Sequence, residues 1–156
     1  MKKILVIGML FFAFNNSTAQ TQVVKVNPLG LLFGIANAGY EFTTTGKQTA
    51  TISGLYFNVS DITGAGAGLD YQFYFGEQSI RGWHAGPSVS YFSLSDNTDV
   101  SASVFSIGGV GGYQWVFGEH FALDLFGGIS FSSGGEDLTG FNATGGVFGV
   151  SLGYAW

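Results

Sequence analysis

The sequence predicts an all-β protein, an eight-stranded antiparallel up-and-down transmembrane β-barrel, and three observations predict it. The last nine residues, Phe148-Gly149-Val150-Ser151-Leu152-Gly153-Tyr154-Ala155-Trp156, put a large apolar residue at every even position and a small one at every odd position. Strand side chains alternate between faces, so this stretch has one face of Phe148, Val150, Leu152, Tyr154 and Trp156 and another of Gly, Ser and Ala. A terminal aromatic closing such a strand is an outer-membrane barrel signature. Next, the polar junctions fall into two sets that alternate strictly along the chain, as turns on one rim and loops on the other would. Beyond the N-terminal region, moreover, no helical period and no run of 18 apolar residues occurs, which excludes crossing by helices but not by strands.

Composition agrees with a lipid-facing surface. Charged residues make up 10% of the 156 residues, against about 25% in a typical soluble domain, and aromatics make up 17%. With no cysteine, disulfides, thiolate metal sites, a cysteine nucleophile and a lipidated N-terminal cysteine all drop out. Met1-Lys2-Lys3, the apolar run Ile4 to Phe14 and Ser17-Thr18-Ala19 have the three regions of a secretory signal. Cleavage after Ala19 is expected, which divides the chain into a signal peptide, 1–19, and one barrel domain, 20–156. What remains carries Lys25, Lys47 and Arg81 against ten acids, a net charge of −7. With no basic stripe to neutralise phosphates, a nucleic-acid partner is excluded.

The eight strands read, in order, as 23–32, 35–43, 48–59, 64–75, 82–94, 100–117, 119–132 and 141–156. Asn27-Pro28 interrupts the first; proline lacks a ladder donor, so a bulge or a later start is expected there. The second ends at the polar turn 43–48, from which the third departs. The third and fourth meet at the acidic junction 60–63, and the fourth ends in aromatics before the turn 76–81. The fifth leads to the acidic loop 95–99, and the sixth carries Gly108-Gly109-Val110-Gly111-Gly112, where a slip of phase suggests a bulge. Gly118-Glu119-His120 turns the chain into the seventh, and 133–140 leads to the last.

Phase assigns the faces. Ala36, Ala38, Tyr40 and Phe42, then Leu69, Tyr71, Phe73 and Phe75, then Trp83, Ala85, Pro87, Val89 and Tyr91, then Phe121, Leu123, Leu125, Ile129 and Phe131 share one face. Its complement holds Asn37, Gly39 and Glu41, with Gly66, Gly68, Asp70 and Gln72, His84, Gly86, Ser88 and Ser90, and Ala122, Asp124, Gly128 and Ser130. Glycine, serine and a few acids make a poor solvent coat but fill a narrow lumen, because an eight-stranded interior has room only for side chains or one small ligand. The bulky face is therefore expected outside. Tyr40, Phe42, Phe73, Phe75, Trp83, Trp115, Phe117, Phe121, Tyr154 and Trp156 crowd the short-turn rim, and Tyr56, Tyr91, Phe105, Phe131 and Phe148 the loop rim, as two interfacial belts would.

Asn27-Pro28-Leu29-Gly30-Leu31-Leu32-Phe33-Gly34 leading to Gly39-Tyr40-Glu41, Leu69 to Phe75, and Gly112 to Phe117 with Leu123-Asp124-Leu125 resemble a family of small Bacteroidetes-type outer-membrane barrels. That family is catalogued as a domain of unknown function and is similar in architecture to the OmpX/OmpA-like barrels. The resemblance spans nearly the whole mature chain and implies a fold; its motifs are strand and turn signatures with no catalytic set. The loops here are short, which weakens an adhesin reading.

The phase directs Glu41, Asp70, Gln72, His84, Gln114 and Asp124 into the lumen near the short-turn rim. Buried carboxylates must be paired or hydrogen-bonded, with Lys25 the inward partner and Arg81 placed to reach in from its turn. The expected role is a structural polar plug rather than a proton or ion relay. His84 and His120 both lie on the turn side, so the outer rim, where envelope substrates would arrive, has no histidine base, and no enzyme is expected. Neither Asp96, Asn97 and Asp99 nor Glu136 and Asp137 have the spaced acids and pivot glycine of a calcium loop, so no metal and no cofactor is expected. The run 64–68 misses the phosphate-cradling pattern and reads as strand glycines. The sequence thus points to a non-catalytic, monomeric outer-membrane barrel with periplasmic termini, a structural or interaction component of the envelope. Its partners would be lipid, lipopolysaccharide and the assembly machinery that reads the terminal strand. The alternatives are a narrow pore or small-solute binder using the Gly-rich lumen, and a barrel enzyme acting on envelope lipids.

Overall fold

The computed structural model describes residues 20–59, 62–96, 101–134 and 142–156. Residues 1–19, read above as a signal peptide, and the acidic loop residues Asn97, Asp99, Glu136 and Asp137 lie outside them. Eight strands, β1 (Gln22–Val26), β2 (Ile35–Thr45), β3 (Gln48–Val59), β4 (Ile62–Tyr74), β5 (Gly82–Asp96), β6 (Ser101–Phe117), β7 (Phe121–Gly134) and β8 (Asn142–Ala155), pair antiparallel in sequence order. The sheet closes on itself through β1 and β8. The β2–β3 and β6–β7 turns pivot on Gly46 and Gly118, at φ 51° and 58°, where a side chain would be strained. No helix among the described residues is long and apolar enough to cross a membrane.

The interior is inverted relative to a soluble barrel. Trp83 is 66% exposed and Ile129 58%, whereas Glu41 and Gln114 are 0% exposed. Both rows hold the phase read from the sequence. On the short-turn rim the outward aromatics form a girdle, with ring centroids 6.3 Å apart for Tyr40–Trp156, 5.1 Å for Trp83–Tyr113 and 4.5 Å for Tyr113–Trp115.

Two local expectations are corrected. The first strand neither bulges nor starts late: it ends at Val26, and Pro28–Leu32 form a single helical turn, α1. Pro28 cannot donate to a ladder, and Asn27 caps the turn by accepting a hydrogen bond from Gly30 N at 3.1 Å. The bulge expected at Gly108–Gly112 is also absent, since the β6 register with β5 and with β7 runs unbroken through it. Those glycines serve curvature instead. A Cβ at Gly108 would sit 2.2 Å from Ile129 O and one at Gly112 2.2 Å from Leu125 O, so the wall bends there without an extra residue. The register shift that does occur lies between Thr43 and Thr45.

Candidate functional site

Seven strands bring one polar cluster together inside the barrel. Odd positions of β1, β2 and β3 point inward, as do even positions of β4 to β7, and this delivers Lys25, Glu41, Thr49, Tyr74, His84, Gln114 and Asp124 to one level near the short turns. Lys25 Nζ donates to Glu41 Oε2 at 2.7 Å and to Asp124 Oδ2 at 2.9 Å. Tyr74 OH and Thr49 Oγ1 donate to the other glutamate oxygen, Oε1, at 2.7 and 2.8 Å. Asp124 Oδ1 meets His84 Nε2 at 2.9 Å, so the carboxylate holds the tautomer with hydrogen on Nε2. Gln114 Nε2 donates to Ile80 O at 2.7 Å and more loosely to Glu41 Oε2 at 3.4 Å. One cation is thus clamped between two anions whose remaining lone pairs are taken by hydroxyl, amide and imidazole donors. A buried ion pair survives desolvation only with such support.

Below the cluster an apolar stopper closes the short-turn end. Val23, Ile80, Val116, Ala122 and Ala155 are all buried together there. Ile80 comes from the β4–β5 turn, which folds back into the barrel mouth, and its φ of 58° is a left-handed conformation that a β-branched residue rarely adopts. Its carbonyl is the one that Gln114 holds, so the polar cluster fixes the stopper.

Above the cluster the lumen is open. A cavity of about 1110 Å³ has walls of Leu55, Phe57, Phe92, Phe126 and Val147 and a floor that includes Asp70, Gln72 and Ser88. The expected side-chain plug therefore fills only the short-turn half. The reason lies in β4. A Cβ at Gly64 would be 2.4 Å from Phe57 Cζ and one at Gly66 2.2 Å from Phe92 Cδ1, so both rings lie flat in a glycine trough and leave the axis free.

Of the residues singled out from the sequence, Glu41, His84, Gln114 and Asp124 meet in one network, in which Lys25 pairs with Glu41 and Asp124, His84 with Asp124 and Gln114 with Glu41. Gln72 is peripheral, 3.5 Å from Thr49 Oγ1. Asp70 stands apart, half-buried at the cavity floor opposite Ser88. Arg81 does not reach in: it is exposed and lines a shallow rim pocket with Glu77 and Tyr113. His120 sits at the short-turn rim, with Nδ1 2.8 Å from Ala155 O and its ring stacked on Tyr154. The residues that sequence reasoning missed are Thr49, Tyr74 and Ile80. Tyr74 was within reach, because it shares the inward parity of Asp70 and Gln72. Among the described residues no group of three or more acidic, histidine or cysteine side chains converges on a possible metal position.

A closed eight-stranded barrel with a sealed polar floor under an open apolar chamber is the class of protein that this fold and this site define. The chain belongs to the family described as "Protein of unknown function (DUF3575)", which matches residues 5–145. No curated protein and no solved structure matches it.

Proposed function

We propose that this protein is a non-catalytic integral outer-membrane barrel whose loop-side lumen receives a small, largely apolar solute, with no passage through to the other side. The observation that carries this reading is the lumen's asymmetry: a chamber of about 1110 Å³ stands over a floor whose central side chains are fully buried. Chambers of roughly 300–1,000 Å³ hold drug-sized ligands, whereas a conducting lumen needs a water path from end to end. The exposed apolar rows and the two aromatic belts support a bilayer location, as does likeness in architecture to the OmpX/OmpA-like barrels of Gram-negative envelopes, Bacteroidetes-type members among them. In that setting the short-turn rim and both termini face the periplasm, lipid and lipopolysaccharide surround a monomer, and the assembly machinery recognises the strand ending Phe148, Val150, Leu152, Tyr154 and Trp156. A non-catalytic role is supported by the two histidines. His84 is sealed beneath the floor and His120 lies on the short-turn rim, so neither faces the chamber mouth.

Cell fractionation combined with planar-bilayer recording tests the reading. The protein is expected in the outer-membrane fraction, and the purified barrel is expected to insert without conductance steps. Stable ohmic steps from the wild-type protein would replace the sealed receptacle with a pore, and recovery in a soluble fraction would remove the membrane role.

A further inference from the structure

The barrel wall is incomplete on one side. β1 pairs with β8 only from Val23 opposite Ala155 to Val26 opposite Leu152, while β8 continues to Asn142, paired with β7 throughout. Among the described residues no strand covers Asn142–Ser151 on the β1 side, and α1 stands at that gap, packed on β2 and touching β8. Exposure records the gap independently. On β7 buried or half-buried inward residues alternate with exposed outward ones over much of the strand, but from Asn142 to Phe148 every residue of β8 is exposed, inward Gly145 and Val147 included. The chamber reaches the gap, since its lining takes in Leu29 of α1 and Phe33 just after it, together with Val147 and Phe148 from the two faces of β8.

We infer that the loop-side half of the β1–β8 seam is a lateral portal through which the hydrocarbon chain of a bilayer lipid passes into the chamber. The inference rests on the membrane reading above and names the ligand for it. Three features select this occupant. First, the seam is flanked by exposed large apolar side chains, Leu31, Leu32 and Phe33 on the α1 side and Phe148 on β8, so in a bilayer the medium at the portal is lipid and not water. The chamber walls are phenylalanine and aliphatic, while the floor holds Asp70 and Asp124, with Lys25 already committed to two carboxylates. A fatty-acid carboxylate driven to that floor would meet like charge, so the chain goes in and the head group stays at the mouth. Lastly, the free edge of β8 leaves peptide N–H and C=O groups that hydrocarbon cannot satisfy, whereas the ester, amide or hydroxyl groups where a lipid's chains join its head can. α1 suits the margin of such a portal. It has no buried residue, Leu32 is 78% exposed and Phe33 70%, and Gly34 at φ 77° ends it.

Quenching by lipids brominated at mid-chain separates the portal from the membrane reading. The native tryptophans, Trp83, Trp115 and Trp156, lie at the short-turn rim and report insertion. A second protein, with those three changed to Phe and with Phe92→Trp, reports from the far side of the lumen; Phe57→Trp serves if that protein does not fold. In brominated phosphatidylcholine vesicles both proteins are expected to dim at least twofold. Gly145→Leu with Val147→Phe narrows the portal, and nothing lies within 4 Å of a Cβ at Gly145 to oppose the change. That pair is expected to restore most of the lumen reporter's emission and to leave the rim tryptophans quenched. Dimmed rim tryptophans beside an undimmed lumen reporter would overturn the portal alone, as would lumen quenching indifferent to the portal pair. Undimmed rim tryptophans would overturn the membrane reading.

Discussion

Replacing Lys25 with methionine keeps the length of the side chain and deletes the charge that holds the floor together. Glu41 Oε2 and Asp124 Oδ2 are 2.7 and 2.9 Å from the same nitrogen, hence no more than 5.6 Å from each other. Without the ammonium, two buried carboxylates face one another, and at an effective dielectric of about 20 their repulsion is about 3 kcal/mol. Removing one member of a buried ion pair costs about 3–5 kcal/mol by experience, so two lines of reasoning agree on the size. Lys25→Met is therefore expected to lower unfolding stability by about 3–5 kcal/mol, read as the midpoint shift of guanidinium unfolding in detergent, followed by heat-modifiable gel migration. Adding Glu41→Gln and Asp124→Asn removes the repulsion, and the triple variant is expected to return to within about 2 kcal/mol of wild type, because a neutral replacement of a whole buried network is often tolerated. A loss below about 1 kcal/mol for Lys25→Met, the range of an exposed pair, would refute the claim that the network is buried and closed. So would a triple variant no more stable than the single one.

The other predictions concern neighbouring parts of the same wall. Tyr74→Phe removes a hydroxyl that donates to a buried carboxylate at 2.7 Å and is expected to cost about 1.5–3 kcal/mol in the same unfolding assay. Asp70→Asn and Asp124→Asn are expected to differ sharply. The first is half-buried at the chamber floor and should cost under about 1 kcal/mol, while the second loses charge-assisted bonds to both Lys25 and His84 and should cost about 2–4 kcal/mol. Gly128→Val places a Cβ 2.1 Å from Gly109 O, a backbone atom that cannot swing aside, and is expected to abolish the heat-modifiable folded band or to lower stability by more than about 3 kcal/mol.

How much of this was legible in the sequence depended on whether a period-two pattern carried it. The inversion of the barrel, the rows of Tyr71 and Leu123, and the inward direction of Glu41, His84, Gln114 and Asp124 all follow from parity. Parity also reached Tyr74, but a tyrosine among outward aromatics looks like one of them until its neighbours are counted in twos. The stopper was not legible. Ile80 lies in a polar turn, and only the three-dimensional path of that turn folds it into the mouth. The helical turn α1 carried its signal in Asn27-Pro28, a capping residue before a proline, yet a strand was the better reading for a sheet assumed to be complete. The open chamber was hidden for a related reason. Small inward residues suit a crowded lumen, and whether they are filled depends on where Phe57 and Phe92 lean, which a linear pattern does not encode.

The central claim is that bulky side chains face lipid and small or polar ones face the lumen. Because the chain has no cysteine of its own, single cysteines can carry spin labels on both faces of β7 in reconstituted vesicles, at positions that hold neither the ion network nor a close backbone approach. Dissolved oxygen, which concentrates in hydrocarbon, is expected to relax labels at Leu123, Leu125, Ile129 and Phe131 several-fold more than labels at Phe126, Ser130 and Ser132. Oxygen accessibility in the opposite phase, or equal access of a water-soluble nickel chelate to both rows, would contradict the account.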